Sequence, residues 1–128
     1  PILSTNWRRQ RGPSRFNSTL GRDNMAQHVA VTVTNNAITV DPDSLYMGKA
    51  NNQPIEWTIQ TDNWTFPANG IVIKDPKDQF YDGGKVTGND KKYKWNDKNT
   101  DGNTYPYTVN LTNGASTLSL DPTIINEN

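Results

Sequence analysis

Apolar residues at every second position dominate the chain from residue 29 onward, and this period of two is the strongest constraint on its fold. The first such run carries Val29, Val31, Val33, Ile38 and Val40. Alternation of this kind places the apolar side chains on one face of a β-strand. The run is interrupted by Asn35-Asn36, a pair that tolerates the positive φ angles of a two-residue hairpin turn. In that register Val33 faces Ile38, so the pattern predicts a β-hairpin.

The C-terminal region shows the same pattern. Alternate positions are apolar at Tyr105, Tyr107, Val109 and Leu111. The following Asn113-Gly114 is a strong signal for a tight turn between two strands. A two-residue turn at this point predicts that Val109 lies opposite Leu118 and that Tyr107 lies opposite Leu120.

The segment between the two hairpins contains further short strands and no convincing helical pattern. Its apolar positions are Ile55, Trp57, Ile59, Trp64, Phe66, Ile71, Ile73, Tyr93 and Trp95, with Gly, Asn, Asp or Pro between the runs. About seven short strands at this spacing favour an all-β fold, an antiparallel β-sandwich of the immunoglobulin-like or cupredoxin-like type. A small closed barrel is the alternative.

The first 24 residues differ from the rest in charge and composition. They hold all five arginines and one acidic residue, a net charge of 5 − 1 = +4, whereas residues 25–128 hold eight lysines and twelve acidic residues, 8 − 12 = −4. Residues 1–24 are also rich in polar residues and lack alternation, which predicts a disordered N-terminal arm before a single domain at 25–128. The arm has three interpretations: a remnant of recombinant expression, an arginine arm that binds nucleic acid, or a transit peptide.

Two further features concern location. The chain has no apolar run near the roughly 20 residues that cross a bilayer, so no membrane partner is expected. Residues 1–24 lack the apolar core of a secretory signal. If Met25 is the native start, these features predict a cytoplasmic protein.

Four stretches carry a resemblance to a known group of proteins: "IEWTIQT", "ANGIVIKD", "YKWNDKNTDGNTYPYTVNLTNG" and "LSLDPTIIN". In these stretches residues 25–128 resemble small, uncharacterised bacterial proteins with a cupredoxin-like or immunoglobulin-like β-sandwich. The resemblance implies architecture rather than activity, because the shared motifs build the fold.

The residue inventory excludes the chemistry of true cupredoxins. A blue-copper site needs two histidines and a cysteine thiolate, whereas this chain has only His28 and no cysteine. Since a Ser-His-Asp triad would also depend on His28, no catalytic residue and no cofactor are expected.

The sharpest local motif is "DKNTDGN", which begins at Asp97. Asp97, Asn99 and Asp101 occupy alternate positions before a glycine, as in the first half of a calcium-binding loop, and Asn103 follows. The twelfth position, where such loops carry a bidentate Glu, is Thr108. Since Asp, Asn and Gly are also ordinary turn residues, a plain strand connection without metal is the expectation and a calcium loop is the alternative.

Two aromatic features suggest other ligands. In "DKKYKWNDK" lysines alternate with Tyr93 and Trp95, a pattern that suits either single-stranded nucleic acid or an amphipathic strand with its aromatics in the core. Trp64 lies among polar and turn residues and is the best candidate for an exposed ring that stacks on a sugar.

Together these observations favour a non-catalytic binding or interaction module without metal, with a protein or glycan as partner. The alternative is a calcium- or glycan-dependent recognition domain that uses the 97–103 loop and Trp64. A weaker alternative is nucleic-acid binding through the arginine arm and the lysine-aromatic strand.

Overall fold

A computed structural model describes residues 26–128, which form ten β-strands and no helix. The strands are β1 (Gln27–Thr34), β2 (Ala37–Asp41), β3 (Ser44–Tyr46), β4 (Gln53–Ile59), β5 (Ile71–Ile73), β6 (Phe80–Val86), β7 (Asn89–Asp97), β8 (Thr104–Thr112), β9 (Thr117–Leu120) and β10 (Thr123–Ile125). The predicted arm (1–24) and Met25 lie outside the described residues. Within 26–128 no helix is long and apolar enough to cross a membrane.

The strands form two mixed sheets. The first has the order β2-β1-β4-β7-β6, and the second has the order β3-β10-β8-β5 with β9 also paired to β8. The all-β class is confirmed, but the expectation of about seven strands in purely antiparallel sheets is not. Two pairings, β1 with β4 and β3 with β10, are parallel. They arise because the chain leaves the first sheet after β2, adds β3 to the second sheet, and returns beside β1.

The first hairpin has the predicted register. Val33 pairs with Ile38, and Val31 pairs with Val40. Asn35 and Asn36 have φ angles of 54° and 60°. Both turn residues therefore adopt the left-handed conformation that a two-residue turn of this type requires.

The predicted register of the second hairpin is wrong by two residues. Val109 pairs with Leu120 rather than with Leu118, which pairs with Leu111 instead. The turn spans four residues because Asn113 Oδ1 accepts hydrogen bonds from the backbone N–H groups of Ala115 and Ser116. A shift of two residues keeps the same side chains on the inner face, so the hydrophobic pattern alone does not distinguish the two registers.

Both sheets contribute to one hydrophobic core, which gives the molecule a β-sandwich-like form. At its centre Trp57 of the first sheet meets Tyr107 of the second, and both are 0% exposed. Their ring centroids are 5.3 Å apart in an edge-on arrangement, and Trp57 Nε1 donates a 3.0 Å hydrogen bond to the Tyr107 hydroxyl. A second edge-on pair, Phe80 with Tyr105, also joins the two sheets.

A glycine of the edge strand β6 lies against the Trp95 ring of the first sheet. The pairing of β6 with β7 is irregular between Tyr81 and Gly84, where Asp82 has a φ of 55°. This irregularity brings the backbone of Gly83 against Trp95, so that a Cβ on Gly83 would lie 2.2–2.4 Å from the indole ring. The irregularity resembles a β-bulge, in which glycine is favoured because it has no side chain to block a close approach of the backbone.

Gly83→Ala is therefore expected to destabilise the protein. The added methyl group forces the Trp95 ring or the β6 backbone to move, at a cost of about 1–3 kcal/mol. Gly84→Ala is the matched control, since a Cβ there meets no atom within 4 Å, and its effect is expected to stay within about 0.5 kcal/mol. Urea denaturation of both variants measures the difference, and equal losses would contradict the close approach.

Tyr107→Phe tests the hydrogen bond at the centre of the core. The variant keeps the ring but leaves the buried Trp57 N–H without an acceptor, which costs about 1–3 kcal/mol. Tyr81→Phe is the control, because the Tyr81 hydroxyl contacts Asn52 at the surface at 3.3 Å. Denaturant unfolding is expected to show a lower free energy of unfolding only for Tyr107→Phe. Comparable decreases in both variants would mean that the buried hydrogen bond stabilises the fold no more than the one at the surface.

Candidate functional site

The connection between β7 and β8 holds the residues of the candidate calcium loop. Asp97 is the last residue of β7 and is 0% exposed, as is Asn99. Asp101 is half-buried and Asn103 is exposed. The four side chains thus differ sharply in their surroundings, although they occupy alternate positions in the sequence.

Asn99 and Asn103 do not join Asp97 and Asp101 as a set of calcium ligands, because both asparagines are engaged in other hydrogen bonds. The Asn99 amide donates to the carbonyl oxygens of Gly48 and Ala50 at 2.9 and 2.8 Å. Its backbone N–H donates to Asp97 Oδ1 at 2.9 Å. Asn103 donates from both its backbone and its side chain to Asp101, at 3.1 Å each. Asn99 therefore anchors the 48–50 loop, and Asn103 closes a turn onto Asp101.

The structure instead brings Asp97 and Asp101 together with two residues that the sequence analysis missed, Gln79 and Asn126. Asn126 Nδ2 lies 3.2 Å from Asp97 Oδ1, 3.1 Å from Asp101 Oδ1 and 3.3 Å from Gln79 Oε1. We call these four residues the amide–carboxylate cluster. Gln79 directly precedes β6 and Asn126 directly follows β10. Their only sequence signal is a polar amide beside a core strand, which is too common to identify a site.

Most of this cluster is buried, and burial shifts its ionisation. Removal from water raises the pKa of Asp97 to about 6, against hydrogen bonds from Asn99 and Asn126 that act in the opposite direction. Burial also raises the pKa of Asp101, but hydrogen bonds from Tyr105, Asn103 and Asn126 outweigh it, and the net pKa of Asp101 is lowered. The cluster thus contains one carboxyl that resists ionisation and one that favours it.

Two atoms of the cluster have no hydrogen-bond partner among the described residues. They are Asp97 Oδ2 and Asn126 Oδ1, and both are buried. Within residues 26–128 no group of three or more His, Cys, Asp or Glu side chains is arranged to hold a metal ion. Any cation at this place would therefore depend on the two amides as well as on the two carboxylates.

Trp64 is not an exposed platform for a sugar. Its side chain is only 8% exposed and belongs to the hydrophobic core. The neighbouring Thr65 forms a β-bridge with Thr112, which draws this irregular segment onto the sheet. The prediction that Trp64 is exposed is wrong, because the pairing that buries it joins residues far apart in the sequence.

The lysine-aromatic segment forms β7, and its aromatic side chains face inward. Tyr93 is buried and donates a 2.8 Å hydrogen bond to the carbonyl of Ala68. Trp95 is half-buried and donates to the carbonyl of Ile71 at 3.0 Å. On the opposite side Lys92 lies 3.5 Å from Glu56. The strand is therefore amphipathic, and neither ring is placed to stack on a nucleic-acid base.

The outer faces of the two sheets differ in charge. On the first sheet His28, Glu56 and Lys94 lie in one row across three strands. The outer face of the second sheet carries residues that are all uncharged, and we call it the neutral face: Ser44, Tyr46, Val72, Thr104, Pro106, Thr108, Asn110, Thr123 and Ile125. At its margin Lys74 and Asp121 neutralise each other in an ion pair of 3.2 Å.

A scan of protein-family models and a search of curated proteins both find no match for this chain. The function is therefore inferred from the two features that the fold assembles. These are the amide–carboxylate cluster at one end of the sandwich and the neutral face on the second sheet.

Asp97→Asn is expected to change how stability depends on pH. The pKa of Asp97 rises from 3.8 to about 6 in the folded protein, so the folded state holds this proton more tightly than the unfolded chain does. Asp97 then contributes stability below about pH 4 that is lost as the pH rises through 6. The stability of the wild type relative to the variant should fall by on the order of 1–2 kcal/mol between pH 4 and pH 7.

This difference is measured by urea denaturation across that range in the presence of a chelator. Asp62→Asn, at an exposed position beyond the opposite end of β4, is the control. Its stability curve should run parallel to that of the wild type. Parallel curves for the Asp97 variant as well would contradict the raised pKa.

Proposed function

We propose that the protein is a non-catalytic interaction module that binds another protein through the neutral face. One observation carries this proposal. The two large hydrophobic side chains that are exposed in residues 26–128, Tyr46 at 59% and Val72 at 41%, both lie on this face. Tyr46 lies on the edge strand β3 beside the half-buried Ile125, and Val72 lies on the opposite edge strand, β5. Apolar residues that adjoin one another at the surface, as Tyr46 and Ile125 do, mark interaction sites more often than isolated ones do.

The chemistry of the neutral face suits a protein–protein contact. Asp121 and Lys74 lie beside Thr108 at the margin, away from the Tyr46 row, so a partner that covers the Tyr46 row does not have to remove the hydration shell of an ionised group. Tyr46 adds an amphipathic ring, and such rings are enriched at interfaces. The hydroxyls of Ser44, Thr104 and Thr123, at positions near Tyr46, can make neutral hydrogen bonds around it.

The surface is also organised as a rigid platform. Tyr46 lies beside Ile125, which lies beside Thr104, so one row crosses three paired strands. Ser44, Thr123 and Pro106 form the next row. Because the backbone is fixed by the sheet and the inner face by the core, binding orders few additional groups.

The absence of charge on the neutral face also indicates which partner fits it. Nucleic acid and anionic membranes require clustered cations, whereas the lysines of β7 lie on the other sheet. A partner protein with an uncharged, partly apolar surface is complementary to this face. A neutral glycan stacked on Tyr46 is the competing occupant, and the experiment below distinguishes the two.

We further propose that the sandwich belongs to the immunoglobulin-like or cupredoxin-like class. Two sheets over one core and the mixed strand pairing support this classification. In that class the loops and sheet faces vary while the core is kept, which accords with a recognition role carried by an outer face.

The test places a photo-crosslinking amino acid at position 46 and, as a matched control, at position 94 on the outer face of the first sheet. Crosslinking is carried out in the cells that naturally produce the protein, and the adduct is identified by mass spectrometry. We expect a discrete protein adduct from position 46 and none from position 94. The identified protein is then purified and titrated against the wild type, Tyr46→Lys and Lys94→Glu.

Tyr46→Lys should weaken that binding by about tenfold or more, because it replaces the exposed aromatic ring of the contact by a charge. Lys94→Glu should leave it unchanged. Equal effects of both variants, or adducts from both positions, would contradict the proposed face. Binding of a neutral glycan array that is lost in Tyr46→Lys, without a protein adduct, would replace the protein partner by a carbohydrate.

A further inference from the structure

Three oxygens of the amide–carboxylate cluster converge on one amide group at its centre. The Asn126 NH2 group carries two hydrogens but is surrounded by three oxygens, those of Gln79, Asp97 and Asp101, at 3.1–3.3 Å. The oxygens come from two segments of the chain, the residue before β6 and the β7–β8 connection, and converge on one point. Each of the three also accepts a hydrogen bond from a backbone N–H group, that of Thr100, Asn99 and Asn103 respectively, so the chain holds these oxygens in place around the point.

The unpartnered atoms give a second and independent indication. Asp97 is 0% exposed and Asn126 is 2% exposed, yet Asp97 Oδ2 and Asn126 Oδ1 have no hydrogen-bond donor within the described part of the chain. Folded proteins leave few buried oxygens in this state, because each loses its hydration without compensation. Both atoms are acceptors, and the other polar atom of each side chain takes part in the cluster. A ligand that interacts favourably with several oxygens at once would satisfy them.

The charges in the cluster also favour a positively charged ligand. The ion pairs among residues 26–128 involve neither Asp97 nor Asp101. Two neighbouring carboxylates, one of them fully buried, repel each other unless a proton or a cation lies near them. The surrounding groups that hydrogen-bond to them, such as Tyr105, are neutral.

From this geometry we propose that Asp97, Asp101, Gln79 and Asn126 form a calcium-binding site. The donor set consists only of carboxylate and amide oxygens, which are the ligands of hard cations. For an ion to take the place of the Asn126 nitrogen among these oxygens, the Asn126 side chain must draw back and turn so that its oxygen faces the ion. Calcium contacts of about 2.3–2.6 Å then require the oxygens to move inward by less than an ångström.

Calcium suits this site better than magnesium. Calcium accepts six to eight oxygens in irregular geometry, whereas magnesium requires a near-ideal octahedron at shorter distances. Four side chains from three segments of the chain provide an irregular set, and water or further backbone carbonyls complete it. The site departs from the sequence-based expectation of no metal, and it also differs from the loop pattern, since Gln79 and Asn126 take the places of Asn99 and Asn103.

The proposed site is distinct from the neutral face but adjoins one end of it. Asn126 follows Ile125, and the backbone N–H of Asn126 donates to the carbonyl of Asn103, next to Thr104. A bound ion would tie the ends of β7 and β10 to the segment before β6. Calcium is therefore expected to stabilise the fold whether or not the neutral face binds a protein.

The experiment is thermal unfolding of the full chain in EDTA and in about 1 mM CaCl₂. Calcium that binds only the folded state is expected to raise the Tm of the wild type by about 5 °C or more. Asp62→Asn, beyond the opposite end of the first sheet, should show the same rise. Asp97→Asn should fold but lose the rise. MgCl₂ at the same concentration should give a clearly smaller shift than CaCl₂.

Two further measurements separate binding from a structural role of the cluster. Asn126→Asp adds a third carboxylate, so its Tm should be lower than that of the wild type in EDTA and its calcium-induced rise should be larger. Terbium, used in place of calcium, should show emission sensitised by the nearby Tyr105 in the wild type and lose it in Asp97→Asn. No calcium-induced rise in the wild type, an equal rise in Asp97→Asn, or an equal response to magnesium would overturn the proposal.

Discussion

The contact between Trp57 and Tyr107 fixes the relation between the two sheets. These side chains come from strands 50 residues apart, are fully buried, and share both an edge-on ring contact and a hydrogen bond. Burying two large rings removes much apolar area from water, and the hydrogen bond satisfies the one polar hydrogen that the indole brings into the core. Because the bond has a direction, it sets how the sheets face each other, which hydrophobic contact alone specifies only loosely.

The position of both candidate sites follows from this arrangement. With the inner face of the second sheet turned toward Trp57, its alternate residues face outward and form the neutral face. At the end of the sandwich the last residue of β7 comes close to the segment after β10, which brings Asp97 beside Asn126. The cluster and the neutral face thus both result from the way the two sheets pack, although their chemistry is unrelated.

Particular residues show how far the sequence could be interpreted. The Asn35-Asn36 turn and the register that it sets follow from local chemistry, and the structure confirms them. The second hairpin differs because the Asn113 side chain stabilises a four-residue turn, a choice that leaves the alternation unchanged. Trp64 could not be assigned to the core from its polar neighbours, since its burial depends on a bridge to β8.

By itself the sequence determined that the folded region is built from β-strands, which side chains of each strand share a face, and that copper chemistry of the cupredoxin kind is excluded by the lack of cysteine. These properties depend on residue type and on spacing of a few positions. Only the tertiary structure decided that two of the pairings are parallel, that Gln79 and Asn126 join Asp97 and Asp101, and that Tyr46 and Val72 share one uncharged face. The reason is physical: those relations join residues that are distant along the chain, and they form only when burial of the common core brings their strands together.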